Sequence, residues 1–286
     1  MELSTFLKNT WHAILSQPAI LDSLLTVDLQ PYVEYIQEAK IRQILLLGCG
    51  DSFFVAQAGA YAVPQLCPHY WAFAIEAADY PLYVPQVDAQ TLVIGISASG
   101  RTVAVQNAMK AFRARTSHLA LLTDVELSSS SFYRWLLLTH TQGPYNLPPT
   151  KTTTAAMFLL WRLFSQLGSG SALQPQFRLI PSYVEQLLQS RKLDEAFLEA
   201  VQDATFFWFL GQEHAAVAAL IGATKLHEVG VARSTFCHLE EFAHHGILGV
   251  APQDAVILVG PGGRYHAIFP KAMQTINAAF FSLNLH

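Results

Sequence analysis

The chain of 286 residues has few charged side chains. Asp, Glu, Lys and Arg together make up 13% of the sequence, the formal net charge is −4, and no cluster of Lys or Arg is present. A nucleic acid or an anionic membrane surface normally requires such a basic cluster, so neither is an expected partner. An anionic ligand would therefore have to be held by backbone amides and hydroxyl groups.

The sequence also lacks a long apolar run. A membrane-spanning helix needs about 20 consecutive apolar residues. The run at Ala155–Phe164 is short and is interrupted by Arg162, and the run at Ala215–Ala223 is shorter still. The N-terminus shows no charged start followed by an apolar block, which a secretory signal would need. We therefore expect a cytoplasmic protein with no membrane partner.

Cysteine is scarce, and no pattern of metal ligands is evident. Cys49, Cys67 and Cys237 are far apart and odd in number, which predicts neither a disulfide framework nor a metal site. The paired His244 and His245 are not spaced as His-Glu-x-x-His, and no further ligand set accompanies them. The sequence therefore predicts no metal and no cofactor.

Apolar residues, by contrast, are abundant, at 52% of the chain. This fraction is slightly above the usual range for a soluble domain. It indicates a large buried area that includes a subunit interface, so we expect a homodimer.

Short apolar runs typical of buried strands alternate with stretches of helical spacing, which predicts an α/β fold with a doubly wound parallel sheet. These runs are Ile41–Leu47, Trp71–Ile75, Leu92–Ile96, Leu119–Leu122, Trp135–Leu138, Thr205–Leu210 and Ala255–Val259. A strand, a glycine turn and a helix rich in small residues occupy Leu45–Ala60 and recur near Trp208–Ala223. The recurrence predicts two similar halves.

The glycine- and serine-rich segment at 168–171 is a plausible linker. It places one domain, with an N-terminal helix, over residues 1–170 and a second over residues 171–286. The second domain is short, because only 25 residues follow Pro261. These residues allow one helix, predicted at Ile268–Phe280, and a stub of strand.

The most informative local motif is the loop Ser97–Thr102, here called the anion loop, which reads Ser-Ala-Ser-Gly-Arg-Thr between a predicted strand and a predicted helix. The first amides of a helix lack internal partners, and the helix dipole favours negative charge there. Ser97, Ser99 and Thr102 add hydroxyl donors around Ala98, and Gly100 allows close backbone approach. The pattern predicts a phosphate-binding loop.

Three other interpretations of this segment compete with phosphate binding. A nucleophile elbow needs Gly-x-Ser-x-Gly, but Ser99 stands where the second glycine belongs. A phosphate-binding lysine loop needs Gly-Lys before Ser or Thr, and here Arg101 occupies the lysine position. The remaining alternative is a serine-rich turn that merely caps the following helix.

Two further segments are candidates for ligand binding. Gly50, Asp51 and Ser52 follow the first strand and could bond sugar hydroxyls, because loops at the carboxyl ends of parallel strands converge on one crevice. The third glycine of a dinucleotide fingerprint is absent from this turn. The segment Pro149–Thr154, which contains Thr150, Lys151 and three more threonines at a helix start, could close the same crevice, or could serve only as a cap with solvated side chains.

Acid–base candidates lie in the second half. Lys225 and Glu228 are three residues apart on a predicted helix, so they share a face. They are either a surface ion pair or a carboxylate base with a neighbouring cation, as moving a proton between adjacent sugar carbons requires. A histidine of the cluster at 238–246 could assist at the ring oxygen, since imidazole shuttles protons near neutral pH.

Taken in order, these motifs resemble the sugar isomerase (SIS) domain family in its double-SIS arrangement, as in the isomerase half of glucosamine-6-phosphate synthase and related deaminases and deglycases. The resemblance is carried by Trp11–Ile14 with Gln17-Pro18, by 48–52, 97–102 and 150–151, and by Gly222–Glu228 and His245-Gly246. It implies two SIS-type three-layer α/β/α subdomains, the second one short.

The resemblance also implies roles for individual residues. The anion loop would bind phosphate, and Ser52 would contact the sugar phosphate. Glu228 would move the proton between the first two sugar carbons, with Lys225 beside it. His245, or His244 if the alignment slips by one, would open the sugar ring from a neighbouring subunit, which implies a homodimer with a shared active site.

The chain departs from the family pattern at several points. Asp51 replaces a threonine, Ile247 replaces the proline after His245-Gly246, and Asp79 replaces a glutamate. A C-terminal tail with an imine-forming lysine and a glutamine-hydrolysing domain are not seen. The expectation is therefore a phosphosugar isomerase or an amino-sugar-phosphate deaminase or deglycase, with a non-enzymatic sugar-phosphate sensor or an inactive isomerase-like protein as alternatives.

Overall fold

The computed structural model describes residues 3–126, 132–143, 148–168, 174–190, 198–199, 201–230 and 232–283. The chain divides into two compact units, Met1–Ser190 and Arg191–His286. The boundary predicted at 170/171 lies outside the described residues.

The first unit alternates helices with five strands. The strands are β1 (Gln43–Gly48), β2 (Trp71–Glu76), β3 (Thr91–Ile96), β4 (Leu119–Thr123) and β5 (Trp135–Leu138). The helices are α1 (Leu3–Leu15), α2 (Gln17–Leu24), α3 (Gln30–Glu38), α4 (Asp51–Leu66), α5 (Tyr80–Tyr83), α6 (Val103–Phe112), α7 (Lys151–Leu167), α8 (Gln174–Phe177) and α9 (Ile180–Ser190), with short 3₁₀ turns at Ala77–Asp79 and Val84–Gln86.

The five strands form one parallel sheet in the order β2-β1-β3-β4-β5. Alternate residues of β1 point to opposite faces: Ile44 and Leu46 pack in a core cluster with α2, α3 and α7, whereas Leu45 and Leu47 pack in a second cluster with α6. Helices thus cover both faces, which explains why the central strands are apolar throughout.

The second unit repeats this plan with fewer elements. It contains β6 (Phe206–Gly211), α10 (His214–Val229), β7 (Arg233–His238), α11 (Leu239–His244), a 3₁₀ turn at Gly246–Gly249, β8 (Asp254–Val259), α12 (Tyr265–Ile276) and β9 (Ala279–Leu283). The sheet is parallel in the order β7-β6-β8-β9 and has a core cluster on each face. The predicted fold class, two doubly wound α/β subdomains with a short second one, is confirmed.

Two details of the second unit differ from the sequence prediction. The helix predicted to reach Phe280 ends at Ile276, because Asn277 adopts a left-handed conformation (φ 62°) and Phe280 belongs to β9. Strand β7 was not predicted at all, since its sequence from Arg233 to His238 is largely polar and lies at the edge of the sheet.

The internal repeat is visible in backbone detail. In each unit a strand of six residues leads through a tight turn into a helix of sixteen. Gly48 and Gly211 each sit so close to the following helix that an added Cβ would lie 2.4 Å from backbone atoms. Gly50 (φ 55°, ψ −130°) and Glu213 (φ 52°, ψ −128°) share a conformation that normally requires glycine.

Across the described ranges, no helix combines the length and the apolar character that a membrane span would need.

Candidate functional site

A cavity of about 190 Å³ opens at the carboxyl edge of the first sheet. It lies where the strand order reverses between β1 and β3, the usual ligand position in an open α/β sheet. Five residues predicted to bind the ligand line it: Asp51, Ser52, Ala98, Ser99 and Thr102. The structure therefore brings the first turn and the anion loop to one place.

The anion loop is held in a closed shape by its own hydrogen bonds. The Ser97 and Thr102 hydroxyls share a hydrogen bond (2.9 Å), and the Gly100 amide donates to the Ser97 carbonyl (3.0 Å). Gly100 has a φ of 65°, which its missing side chain permits. Ser97 is 1% exposed and is not among the lining residues, so it supports Thr102 from behind while Ser99 and Thr102 face the cavity.

Three helices begin at this cavity: α4 at Asp51, α6 at Val103 and α7 at Lys151. The residues that precede them, Gly50, Thr102 and Thr150, make no side-chain capping hydrogen bond. The Thr102 hydroxyl thus bonds Ser97 instead of closing α6, which argues against a loop that merely caps the helix. Helix N-termini carry partial positive charge, and three of them meet around one space.

Threonines at the start of α7 form another wall. Thr152 and Thr153 line the cavity, and the Thr153 hydroxyl donates to Asp51 Oδ2 (2.6 Å), which joins α7 to α4. The Thr150 hydroxyl oxygen is buried and has no hydrogen-bond partner in the described part of the chain. Lys151 begins the helix but is not a lining residue.

Among the described residues, no Lys or Arg side chain lines the cavity. The charged side chain in the lining is the Asp51 carboxylate. Cys49 also lines the cavity, and burial together with a hydrogen bond to Glu76 raises the pKa of its thiol to about 11. The thiol is therefore protonated at neutral pH and is not a nucleophile. An anion in this cavity would be bound by amides and hydroxyls, as the composition predicted.

Thr152 and Thr153 belong to the threonine-rich helix start that was a candidate for closing the crevice, whereas two further lining threonines, Thr123 and Thr139, were not predicted. Thr123 ends β4 and Thr139 follows β5. Their position at the carboxyl ends of strands is the signal that could have identified them.

The acid–base candidates lie on the second unit. Lys225 Nζ and Glu228 Oε2 are 2.6 Å apart near the end of α10. The intervening His227 accepts a hydrogen bond at Nε2 from the Ser234 amide (3.1 Å), so this histidine holds the start of β7.

Within the second unit, Glu228 and His245 lie on helical segments that cover opposite faces of the sheet. Helix α10 runs back from the end of β6 to the start of β7, which puts Glu228 at the amino edge. His244 ends α11 and His245 follows it; both are exposed, and they lie on the connection from the end of β7 back to β8. This unit alone does not bring Glu228 and His245 together.

Among the residues that the structure describes, no group of three or more His, Cys, Asp or Glu side chains could hold a metal ion.

Comparison with known proteins shows which families and proteins the chain is similar to. Residues 36–166 match the model of the SIS domain family. The glutamine–fructose-6-phosphate aminotransferase [isomerizing] of Methanothermobacter thermautotrophicus is 26% identical over 239 residues, which cover 82% of this chain and 39% of that protein. The chain thus spans about 40% of the length of the curated relatives that it matches.

Solved structures agree on the fold. The C-terminal domain of the glucosamine-fructose-6-phosphate aminotransferase of Francisella tularensis superposes with a TM-score of 0.82 at 16% identity, over 96% of this chain and 83% of that one. Glucosamine-6-phosphate deaminase of Thermotoga maritima gives 0.79 at 18% identity, over 96% and 84%. The resemblance drawn from the sequence motifs is confirmed: residues 36–166 match the SIS domain, and the chain is similar to proteins named as phosphosugar isomerases and deaminases.

Proposed function

We propose that the chain binds a phosphorylated sugar or amino sugar in the cavity of its first unit and catalyses aldose–ketose isomerisation, or a related deamination or deglycation, without a cofactor. The observation that carries this proposal is the meeting of three helix N-termini without side-chain caps around hydroxyl-lined space. The names of relatives support it, since they include an isomerizing aminotransferase and a glucosamine-6-phosphate deaminase.

The phosphate would sit against the anion loop. Ser99 and Thr102 would donate hydroxyl hydrogen bonds to its oxygens, and the first amides of α6 would add their partial positive charge. Gly50, Asp51 and Ser52 would face the sugar hydroxyls, with Asp51 held in place by Thr153. Thr150 supplies a buried hydroxyl for a further contact, and Lys151 would approach from the same helix start.

The chemistry would be a proton transfer between neighbouring carbons. The Glu228 carboxylate would take the proton from C2 of the open-chain aldose and return it to C1, while the C1 carbonyl oxygen gains a proton and the C2 hydroxyl loses one. Lys225, 2.6 Å from Glu228, would hold that carboxylate in one orientation. His245, with His244 as the alternative, would protonate the ring oxygen while the anomeric hydroxyl loses its proton, so that the bond between the anomeric carbon and the ring oxygen breaks and the carbonyl forms.

Because Glu228 and His245 lie on helical segments that cover opposite faces of the second sheet, both would act on one sugar if they came from different copies of the chain. This favours a homodimer with a shared active site. The oligomeric state in solution, measured by light scattering, tests that part separately.

A ligand panel with an isotope readout tests the proposal. Hexose 6-phosphates, amino-hexose 6-phosphates and the same sugars without phosphate are first screened by thermal shift. A ligand at 100 times its Kd should stabilise the protein by about 2.7 kcal/mol, and only the phosphorylated members should do so. Those that bind are then incubated in D₂O, where proton transfer incorporates deuterium at C1 or C2.

The outcomes separate the candidate functions. Binding with deuterium incorporation supports an isomerase, and release of ammonia supports a deaminase. Binding without any chemistry would favour the sensor, and an absence of phosphate-dependent binding would refute the proposal.

A further inference from the structure

Asp124 lies directly after β4, behind the anion loop. Its backbone amide donates to the carbonyl oxygen of Ala98 (3.0 Å), and the neighbouring Thr123 hydroxyl donates to the same oxygen (3.2 Å). Ala98 is the middle of the anion loop and lines the cavity. Two hydrogen bonds therefore attach the loop to the end of the adjacent strand.

The Asp124 carboxylate organises a second loop. Oδ1 accepts a hydrogen bond from the Thr141 amide, and Oδ2 accepts one from the Gly143 amide (2.9 Å). The residues just before these amides, His140 and Gln142, both adopt left-handed backbone conformations, with φ of 50° and 52°. Left-handed residues at alternate positions turn the amides that follow them toward a common anion, and here that anion is the Asp124 carboxylate.

The same carboxylate fixes a wall of the cavity. Its Oδ1 also accepts a hydrogen bond from the Thr139 hydroxyl (2.9 Å), while the Thr139 amide donates to the Thr123 carbonyl (2.9 Å). Thr123 and Thr139 both line the cavity. Hydrogen bonds from Gly143, Thr141 and Thr139 outweigh the effect of burial, so the pKa of Asp124 lies below its usual value and the group is ionised at neutral pH.

We propose that Asp124 is a positioning residue that holds the anion loop and the Thr139 wall in the geometry that binds phosphate. This inference rests on the proposed function, because it concerns the same cavity. Asp124 itself is not a lining residue and would act through Ala98, Thr123 and Thr139.

Removing the charge of Asp124 distinguishes this positioning role from a purely electrostatic effect, because the two predict opposite changes in phosphate affinity. A carboxylate near an anion site repels the anion, so removing its charge alone would tighten binding. Asp124→Asn keeps the shape but offers one acceptor oxygen and an NH₂ group, which cannot accept the remaining amide hydrogen bond. Positioning therefore predicts weaker binding from the same substitution.

Asp88 provides a matched control in the same unit. Its carboxylate accepts hydrogen bonds from the Gln90 amide (2.9 Å) and the Thr91 hydroxyl (2.9 Å), a similar donor set. It precedes β3 and thus lies at the amino edge of the sheet, away from the cavity. Asp88→Asn changes a loop-holding carboxylate without touching the ligand site.

The experiment measures the Kd of inorganic phosphate by calorimetry at fixed ionic strength, with thermal unfolding of each variant alongside. We expect Asp124→Asn to weaken phosphate binding about tenfold, the effect of one lost hydrogen bond in a well-ordered network, and Asp88→Asn to leave Kd unchanged. If Asp124→Asn does not fold, Asp124→Glu keeps the charge but displaces the carboxylate, and it should also weaken binding.

An unchanged or tighter Kd in the folded Asp124 variant would overturn the inference, even if its unfolding temperature falls, because that result describes a merely structural residue. Failure of the wild-type protein to bind phosphate is a different result, since it would refute the proposed function itself.

Discussion

The two units use one backbone plan, but their third strands lead into different loops. In the first unit β3 is followed by Ser97–Thr102, which presents hydroxyl groups to a cavity. In the second unit β8 is followed by Gly260–Tyr265, where Gly-Pro-Gly-Gly-Arg replaces the serines before α12. The glycines at the equivalent turn, Gly100 and Gly263, both have positive φ, of 65° and 51°.

In the second unit, the backbone amides at the corresponding helix start are already bonded within the protein, whereas our proposal leaves those of the first unit to the ligand. The first three amides of α12, from Tyr265 to Ala267, donate to the carbonyls of residues 262 to 264, and the Gly262 amide donates to His266 Nε2 (2.9 Å). Gly260 packs so closely that an added Cβ would lie 2.6 Å from Ala215 Cβ. A strand, a turn and a helix therefore do not suffice for an anion site; side-chain hydroxyls and space are also required.

The largest effect is expected from a substitution in the second unit that stops proton transfer and leaves phosphate binding by the first unit intact. Glu228→Gln should lower deuterium incorporation at least about 100-fold, because loss of a general base typically costs that much or more. Phosphate binding in the first unit should be retained, as calorimetry would show.

Glu240→Gln is the matched control for that substitution. Glu240 also pairs with a cation on the second unit, Arg264, at 3.2 Å, but it is not assigned a role in proton transfer. The Glu240 variant should keep its exchange rate. Full turnover by the Glu228 variant would remove Glu228 from the mechanism.

An intermediate effect is expected when the same loop position is changed in each unit. Thr102→Val should weaken phosphate binding about tenfold or more, since a hydrogen bond to a charged group contributes about 1.5–3 kcal/mol. Arg264 directly precedes α12 as Thr102 directly precedes α6, so Arg264→Val should leave Kd unchanged. Equal losses from both substitutions would contradict the assignment of phosphate to the first unit.

The smallest expected effect concerns the strained turn that the units share. Glu213→Gly should stabilise the protein by about 1 kcal/mol, because glycine adopts this backbone conformation without strain. Gly50→Ala should destabilise it by about 1–2 kcal/mol for the converse reason. Thermal unfolding of the two variants would give opposite shifts, and shifts of the same sign would show that the two turns are not equivalent.

Much of the fold could be predicted from the sequence because the central strands are continuous apolar runs. Ile44–Leu47 and Leu92–Ile96 are buried on both faces and leave no room for polar alternation. Strand β7 escaped prediction because an edge strand buries only part of its surface. The end of α12 was misplaced because Asn277, a residue that favours a left-handed helix end, was not read as a stop signal.

The site divides in the same way. The anion loop could be found because a strand, a turn and a helix start are adjacent in sequence. Thr139 and the Asp124 network could not, because they depend on which strands are neighbours in the sheet, and strand order is not written in local patterns. The placement of Glu228 and His245 on opposite faces of one sheet also emerges only from the strand order and the connections of α10 and α11.

Because no lysine or arginine lines the described cavity, anion binding there should depend little on ionic strength. Interactions between exposed charged groups weaken as ionic strength rises, over a Debye length of about 8 Å in physiological salt. Amide and hydroxyl dipoles in direct contact with an oxyanion act within that distance and are screened much less. Occupancy of the cavity should therefore vary little between dilute buffer and physiological salt.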